Sequence, residues 1–233
     1  MSKDNDIHLE RAVVLLSGGL DSTTLLHYVA KELAIDEVYA LSMIYGQKHS
    51  RELKMASWQA ENAGVIQHRV VDISFMRDLL QGSSALVDPD IKVDALNDID
   101  DSELDQPSTY VPNRNMILLS VAVAWAEAIG AKTVFYGAQA QDRYGYWDCT
   151  VDFVSKINDV IALNRKNRIE VKAPFAERSK ADLLRIGMNL GVDYSHTWSC
   201  YRGGDTPCGV CPTCVERSRA FDQVGAIDKW LPE

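Results

Sequence analysis

The sequence predicts a three-layer α/β fold, a parallel sheet between two layers of helices, with a cysteine-rich extension after it. Short apolar runs alternate with stretches of helical spacing along most of the chain. A glycine-rich turn joins the first apolar run to the first helix. Four of the five cysteines crowd into the last part of the chain. Strands that alternate with helices need right-handed crossovers, and these leave a parallel sheet buried on both faces.

The elements follow in order. Arg11–Leu16 is a buried strand that ends at Ser17-Gly18-Gly19, and Thr24–Leu33 carries apolar residues at helical spacing. Val38–Tyr45 is a second strand, followed by a helix over Lys48–Asn62 that Gly64 closes. His68–Ile73 is a third strand and Phe75–Leu80 a short helix. Asn113–Ile129 is an apolar helix before Gly130, and Thr133–Gly137 a further strand. Val151–Leu163 is helical, Arg168–Lys172 is a strand stopped by Pro174, and Lys180–Leu190 is a helix ended by Gly191. A last short helix covers Val215–Val224. Gly82–Pro107 breaks the rhythm, because Asp88–Asp105 holds eight acidic residues and one lysine. That charge predicts a solvated or mobile loop, with a lid over bound substrate as the alternative. Residues 1–190 are expected to form the α/β domain, and 191–233 a segment packed on it.

Composition narrows the function classes. The 233 residues are 46% hydrophobic and 24% charged, as in an ordinary soluble domain. No apolar run nears the ~20 residues that span a bilayer, and the first eight residues are polar. A cytoplasmic protein is the expectation. The net charge of −9 argues against bulk binding of nucleic acid, which needs clustered cations.

The segment Leu16-Ser17-Gly18-Gly19-Leu20-Asp21-Ser22-Thr23 carries the first chemical signal. Its glycines allow close backbone approach to a ligand, and the helix behind it offers free N–H groups and a positive dipole end. The hydroxyls of Ser17, Ser22 and Thr23 can donate to phosphate oxygens. Asp21 would repel phosphate, unless it holds Mg²⁺ or caps the helix. The segment lacks the Gly-Lys-Ser/Thr ending of a Walker loop and the spacing of a dinucleotide fingerprint. A tight turn with a helix cap is the plainer reading.

The second signal is Cys200, Cys208, Cys211 and Cys214. Their spacing suits one tetrahedral Zn²⁺ with no open position, hence a structural site. A disulfide pair, an iron–sulfur cluster or a redox C-x-x-C are the alternatives. Cys149 stands apart and reads as a small buried hydrophobe.

Ser17-Gly-Gly-Leu-Asp-Ser resembles the S-G-G-x-D-S signature of the PP-loop ATP pyrophosphatases, a Rossmann-like superfamily that activates oxygens as adenylates. The loop and the cysteine pattern together resemble the 7-cyano-7-deazaguanine synthase (QueC) family. Further matches are Tyr45-Gly-Gln-Lys-His, Thr109-Tyr-Val-Pro-Asn-Arg-Asn, Gly145-Tyr-Trp-Asp-Cys and Thr197-Trp-Ser-Cys-Tyr. The resemblance implies ATP, Mg²⁺ and Zn²⁺, and conversion of 7-carboxy-7-deazaguanine and ammonia to the 7-cyano product by a homodimer. The loop would bind ATP, with Asp21, Ser22, Lys180 and Arg114 as catalytic candidates. Tyr45, Gln47, Lys48, Asp142, Tyr146 and Asp148 are the substrate-binding candidates. A carboxylate can pair with the N–H edge of a guanine-like base, and the tyrosines and Trp147 can stack on it. Surface roles for Lys48, Lys180 and Arg114, and capping roles for Asn113 and Asn115, are the plainer readings.

Two departures stand out, Trp147 for the family's proline and Thr150 for its usual arginine. They leave open a QueC-like paralogue of the kind encoded with antiphage systems, which would conjugate the activated deazaguanine to a protein. A tRNA thiolase fits the acidic charge poorly. A zinc-stabilised nucleotide-binding subunit without catalysis is the non-enzymatic alternative.

Overall fold

The computed structural model describes residues 9–47, 51–99, 106–140 and 145–230. Five strands, β1 (Arg11–Leu15), β2 (Glu37–Ile44), β3 (Gln67–Asp72), β4 (Thr133–Phe135) and β5 (Glu170–Lys172), form one sheet in the order β3-β2-β1-β4-β5. Every pairing is parallel. The helices are α1 (Leu20–His27), α2 (Arg51–Ala63), α3 (Met76–Leu79), α4 (Arg114–Ile129), α5 (Val151–Ile161), α6 (Lys180–Asn189) and α7 (Pro212–Val224).

Side-chain alternation along β1 builds the two cores. Ala12 and Val14 face one way, into a cluster with Leu25, Leu26, Leu183, Leu184 and Phe221 of α1, α6 and α7. Val13 faces the other way, among Leu119, Trp125 and Ala126 of α4 and Phe153 of α5. All three β1 residues are fully buried, as the central strand of a two-sided sheet requires.

Several boundaries differ from the sequence expectation. The first helix starts at Leu20, not Thr24, because Gly19 takes the extended N-cap conformation; the helix then widens into a π turn over Tyr28–Glu32. The hydroxyl residues therefore belong to its first turn. Asn113 lies in the left-handed region, at φ 53°, just before α4, and its side chain makes no cap bond. The last helix begins three residues earlier than expected, at Pro212, a residue suited to a first helical turn.

The acidic segment is corrected in its described part. Ser84, Ala85, Leu86, Val87, Asp88 and Val93 are buried. Ala85 and Val93 pack on Trp198 and the cysteines, while Leu86 and Val87 pack on Val111. The Arg202 guanidinium donates to the Val93 carbonyl at 2.9 and 3.1 Å, and Asp88 accepts from the Gly82 and Asp90 amides at 2.6 and 2.9 Å. The interleaved apolar residues dock this strap, and the acidic ones cap its turns or face water. Residues 100–105 lie outside the described residues.

The C-terminal segment shares the main core through Val192, Tyr194, Ala220 and Phe221. Buried Arg217 fastens it, bonding the Asp228 carboxylate at 2.7 and 2.9 Å and the Tyr194 carbonyl at 3.0 Å. Among the described residues, no helix is long and apolar enough to cross a membrane.

Candidate active site

In an open parallel sheet, ligands sit beyond the carboxyl ends of the strands where the order reverses. Here the chain runs outward from β1 to β3 and returns to β4 beside β1. A cavity opens at that point, lined by Leu16 and Ser17 after β1, Tyr45 after β2 and Gly137 after β4. First-turn residues of five helices also line it: Asp21 and Ser22 of α1, Glu52 and Leu53 of α2, Arg114 and Asn115 of α4, Lys180 of α6, and Thr213 of α7. Helix N-termini carry partial positive charge and unpaired N–H groups, so their convergence makes an anion site.

The phosphate loop is internally bonded. The Ser22 hydroxyl lies 2.9 Å from that of Ser17 and accepts from the Ser17 amide at 3.2 Å; the Ser17 hydroxyl accepts from the Gly19 amide at 3.2 Å. Gly18 has φ +87°, and a Cβ there would lie 2.1 Å from the Glu52 carbonyl oxygen. Only glycine suits both constraints. The Gly18 carbonyl accepts from the Trp198 amide at 2.9 Å, which stitches the cysteine segment to the loop. Leu16, Ser17, Gly19, Leu20, Asp21 and Ser22 line the cavity, whereas Gly18 and Thr23 stand behind it. Thr23 is fully buried.

Lys180 is the first residue of α6, where Ser179 and Asp182 form a capping box. It is buried rather than exposed. Its ammonium lies 3.5 Å from Asp21 Oδ2 and 3.1 Å from Glu216 Oε2. Burial raises the Asp21 pKa, and Lys180 opposes that rise. Asp21 Oδ1 is buried without a hydrogen-bond partner. An orphaned carboxylate oxygen at a phosphate loop fits a divalent cation such as Mg²⁺.

Tyr45, Gln47, Glu52, Arg114 and Tyr146 also line the cavity. The Arg114 guanidinium lies 5.8 Å from the centre of the Tyr45 ring and donates to Asn115 Oδ1 at 3.2 Å. Gln47 is occupied by its own turn, accepting from the Tyr45 amide at 2.8 Å and donating to the Met43 carbonyl at 3.1 Å. The Tyr146 hydroxyl lies 2.6 Å from Thr109 Oγ1. Burial pushes the Glu52 carboxyl up to about 7 against the pull of Arg114.

Asp148 does not line the cavity. It is buried, with Oδ2 accepting from the Asn115 amide at 3.4 Å. Its carboxylate thus faces the amino end of α4, the duty expected of Asn113 or Asn115. Lys48 and Asp142 lie outside the described residues, as do His49 and Tyr144.

The sulfurs of Cys200, Cys208, Cys211 and Cys214 all lie within 4.8 Å of one another, and three of the four residues are buried. Four soft donors at this spacing fit one Zn²⁺ with no position left for a substrate. Without a cation, their thiolates would repel one another in a poorly solvated site. Cys149 is buried as expected, and it also lines the cavity, with Asn115 Nδ2 3.4 Å from its sulfur.

Comparison with known proteins decides the family. The family model described as "Queuosine biosynthesis protein QueC" matches residues 11–225. The chain belongs to the QueC family. Among its relatives, the 7-cyano-7-deazaguanine synthase of Pseudoalteromonas atlantica is 44% identical over 220 residues, covering 94% of this chain and 97% of that one. That of Caldicellulosiruptor bescii is 47% identical over 218 residues, covering 94% and 95%. That of Archaeoglobus fulgidus is 44% identical over 227 residues, covering 96% and 90%. Among solved structures, NMN synthetase from Francisella tularensis is similar at 13% identity and TM-score 0.50, covering 94% of this chain and 78% of that one. The U34-tRNA thiolase NcsA from Methanococcus maripaludis is similar at the same identity and TM-score; the match takes in 92% of this chain but only 65% of that longer one. These likenesses bear on the fold alone.

For a QueC-family chain, the two departures are informative. Trp147 and Thr150 do not line the cavity. Trp147 donates to the Tyr110 hydroxyl at 2.9 Å, and Thr150 accepts from the Phe153 amide at 3.1 Å as the N-cap of α5. Sequence reasoning missed Glu52, Ser199, Tyr201 and Thr213 on the wall. Glu52 lies three residues after the Tyr45 motif, at helical spacing from Lys48, and that was its only signal.

Proposed function

We propose that this chain is a 7-cyano-7-deazaguanine synthase, an ATP-dependent ligase that converts 7-carboxy-7-deazaguanine and ammonia to the nitrile. The observation that carries the reading is identity of 44% and 47% to relatives of that name over 94% of the chain. The convergence of helix N-termini on a hydroxyl-lined loop supports a polyphosphate at that end.

In this reading the loop amides and the Ser17 and Ser22 hydroxyls hold the triphosphate. Lys180 pairs with the phosphate oxygens in ground and transition state alike, and Asp21 would hold Mg²⁺. Mg²⁺ there would neutralise phosphate charge, and Zn²⁺ held by the four cysteines would supply structure only. Arg114 meets the substrate carboxylate, and Tyr45 and Tyr146 flank the flat base. The carboxylate attacks the α-phosphorus, and pyrophosphate leaves. Ammonium loses a proton to Glu52, the amine adds to the acyl carbon, and AMP leaves to give the amide. The amide oxygen then attacks the α-phosphorus of a second ATP as pyrophosphate and one N–H proton leave, and elimination of AMP with the remaining N–H proton gives the nitrile. Each round turns a poor leaving group into a good one. A symmetric homodimer in the cytoplasm completes the proposal, and light scattering tests the pairing.

Because Trp147 and Thr150 lie off the cavity wall, the nitrile-forming reading is preferred over transfer to a protein acceptor. Mass spectrometry of products from 7-carboxy-7-deazaguanine, ATP, Mg²⁺ and ammonium tests it. The nitrile is expected, and it should vanish in Asp21→Ala. ATP consumption that stops at adenylate or amide would overturn the reading.

A further inference from the structure

We infer that Glu216 is a positioning residue for Lys180, and that it ties the geometry of the cysteine cluster to nucleotide binding. The inference rests on the ATP reading of the cavity.

A lysine ammonium rides on four flexible carbons, so burial alone does not fix where it points. Lys180 is 8% exposed. On the loop side, Asp21 Oδ2 lies 3.5 Å from its ammonium; from α7, Glu216 Oε2 lies closer, at 3.1 Å. The two carboxylates do not play equal parts. Asp21 lines the cavity and belongs to the loop that meets phosphate, whereas Glu216 does not line it. A polyphosphate that enters takes the place of Asp21 as the counter-charge of Lys180. Glu216 then holds the ammonium from behind, so that it points at the phosphate without a search through rotamers.

The position of Glu216 is in turn set by the cysteines. Helix α7 starts from Cys211 as its N-cap, with Pro212 in its first turn, and Cys214 lies in that same turn. Glu216 follows two residues after Cys214. Thr213, between the two cysteines, lines the cavity and donates to the Ser199 carbonyl at 2.6 Å. Its hydroxyl also lies 3.4 Å from the Cys211 sulfur. A metal held by the four sulfurs fixes the start of α7, hence the Glu216 carboxylate, hence Lys180. The neighbouring Arg217 is engaged with Asp228 and does not compete for Glu216.

The test is calorimetric titration with a non-hydrolysable ATP analogue and Mg²⁺. It is run on the wild type, Glu216→Gln and Glu216→Leu, beside kcat, KM for ATP and metal content. Leucine removes the acceptor, so the analogue Kd and the KM for ATP should rise about tenfold while kcat stays within about twofold. Glutamine keeps an acceptor oxygen and should recover most of the loss, with metal content equal throughout. Chelation of the wild type should raise the analogue Kd, and it should add little further in Glu216→Leu. If leucine strips the metal, Glu216→Asp carries the test, with a rise of about threefold in KM and metal retained. Wild-type Kd and KM in the metal-loaded leucine or aspartate variant would overturn the inference. So would a fall in kcat that matches any change in KM. Failure of the wild type to bind the analogue would strike the ATP reading instead.

Discussion

The two walls of the cavity are built in opposite ways. The phosphate loop closes on itself, with hydrogen bonds that join Ser17, Gly19 and Ser22 across five residues or fewer. The rest of the cavity lining is assembled from afar. Thr109 meets Tyr146 across 37 positions, Lys180 meets Glu216 across 36, and the Trp198 amide reaches back to Gly18. A wall made of one contiguous turn is robust wherever its sequence is kept. A wall made of distant pieces depends on whatever holds the pieces, and here that is the cysteine cluster and the strap on it.

The largest effect should therefore come from the cysteines. Cys214→Ser removes a buried donor from the four-sulfur site, and loss of a structural metal costs about 4–5 kcal/mol or more. Metal content should fall, the thermal midpoint should drop, and the Kd of an ATP analogue should rise about tenfold, as in Glu216→Leu. A serine variant that keeps its midpoint would show that the assembled wall stands without the metal. The self-contained loop breaks differently. Gly18→Ala places a methyl 2.1 Å from the Glu52 carbonyl oxygen at a positive φ, which costs about 2–4 kcal/mol from strain and overpacking together. It should abolish turnover while the metal stays bound, so metal analysis beside activity separates the two walls.

Legibility in the sequence follows the same division. The strands and helices were readable because apolar periodicity is local, and so were the loop and the cysteines, whose chemistry lies in short spacings. The place of Asp148 behind the lining was not legible, because an acidic residue after a strand suits either a ligand or a helix terminus, and the α4 amide that it faces lies 33 positions away. The strap over residues 82–99 was read as solvated because its charges are visible in sequence, whereas the burial of Ala85 and Val93 depends on the cysteine segment and that of Leu86 and Val87 on Val111. Ser199 and Thr213 carried no signal beyond their place near the cysteines, and Tyr201, though matched in the motif that starts at Thr197, was given no role.

Glu52 sharpens the comparison, because it sits where the walls meet: its carbonyl packs under Gly18 and its carboxyl lies near Arg114. With its folded pKa at about 7, it is ionised above that pH and can take a proton from ammonium there. The kcat/KM for ammonium should rise through pH 7. Glu52→Gln should flatten that limb and lower activity about 100-fold. Linkage gives an independent readout. The folded pKa lies above the ordinary 4.5, so the folded state binds the proton more tightly. That stability is present below about 4.5 and is lost as pH rises towards 7. Glu52→Gln should remove this slope, and an unchanged slope would place the titration elsewhere.

The smallest expected effect tests the departure at Thr150. Its hydroxyl accepts from the Phe153 amide and donates to the Trp147 carbonyl, at 3.1 and 2.9 Å, so it both caps α5 and closes the turn before it. Thr150→Ala should cost about 1 kcal/mol of stability through the lost cap. Because the side chain faces away from the cavity wall, the product should not change. Thr150→Arg, which restores the usual family residue, should lose a similar amount for the same reason. A variant that altered the ratio of amide to nitrile would show that the assembled wall reaches further than its lining, and would reopen the choice of acceptor. An effect confined to melting would leave α5 as a support behind the site, with its N-cap chosen for the helix rather than for the substrate.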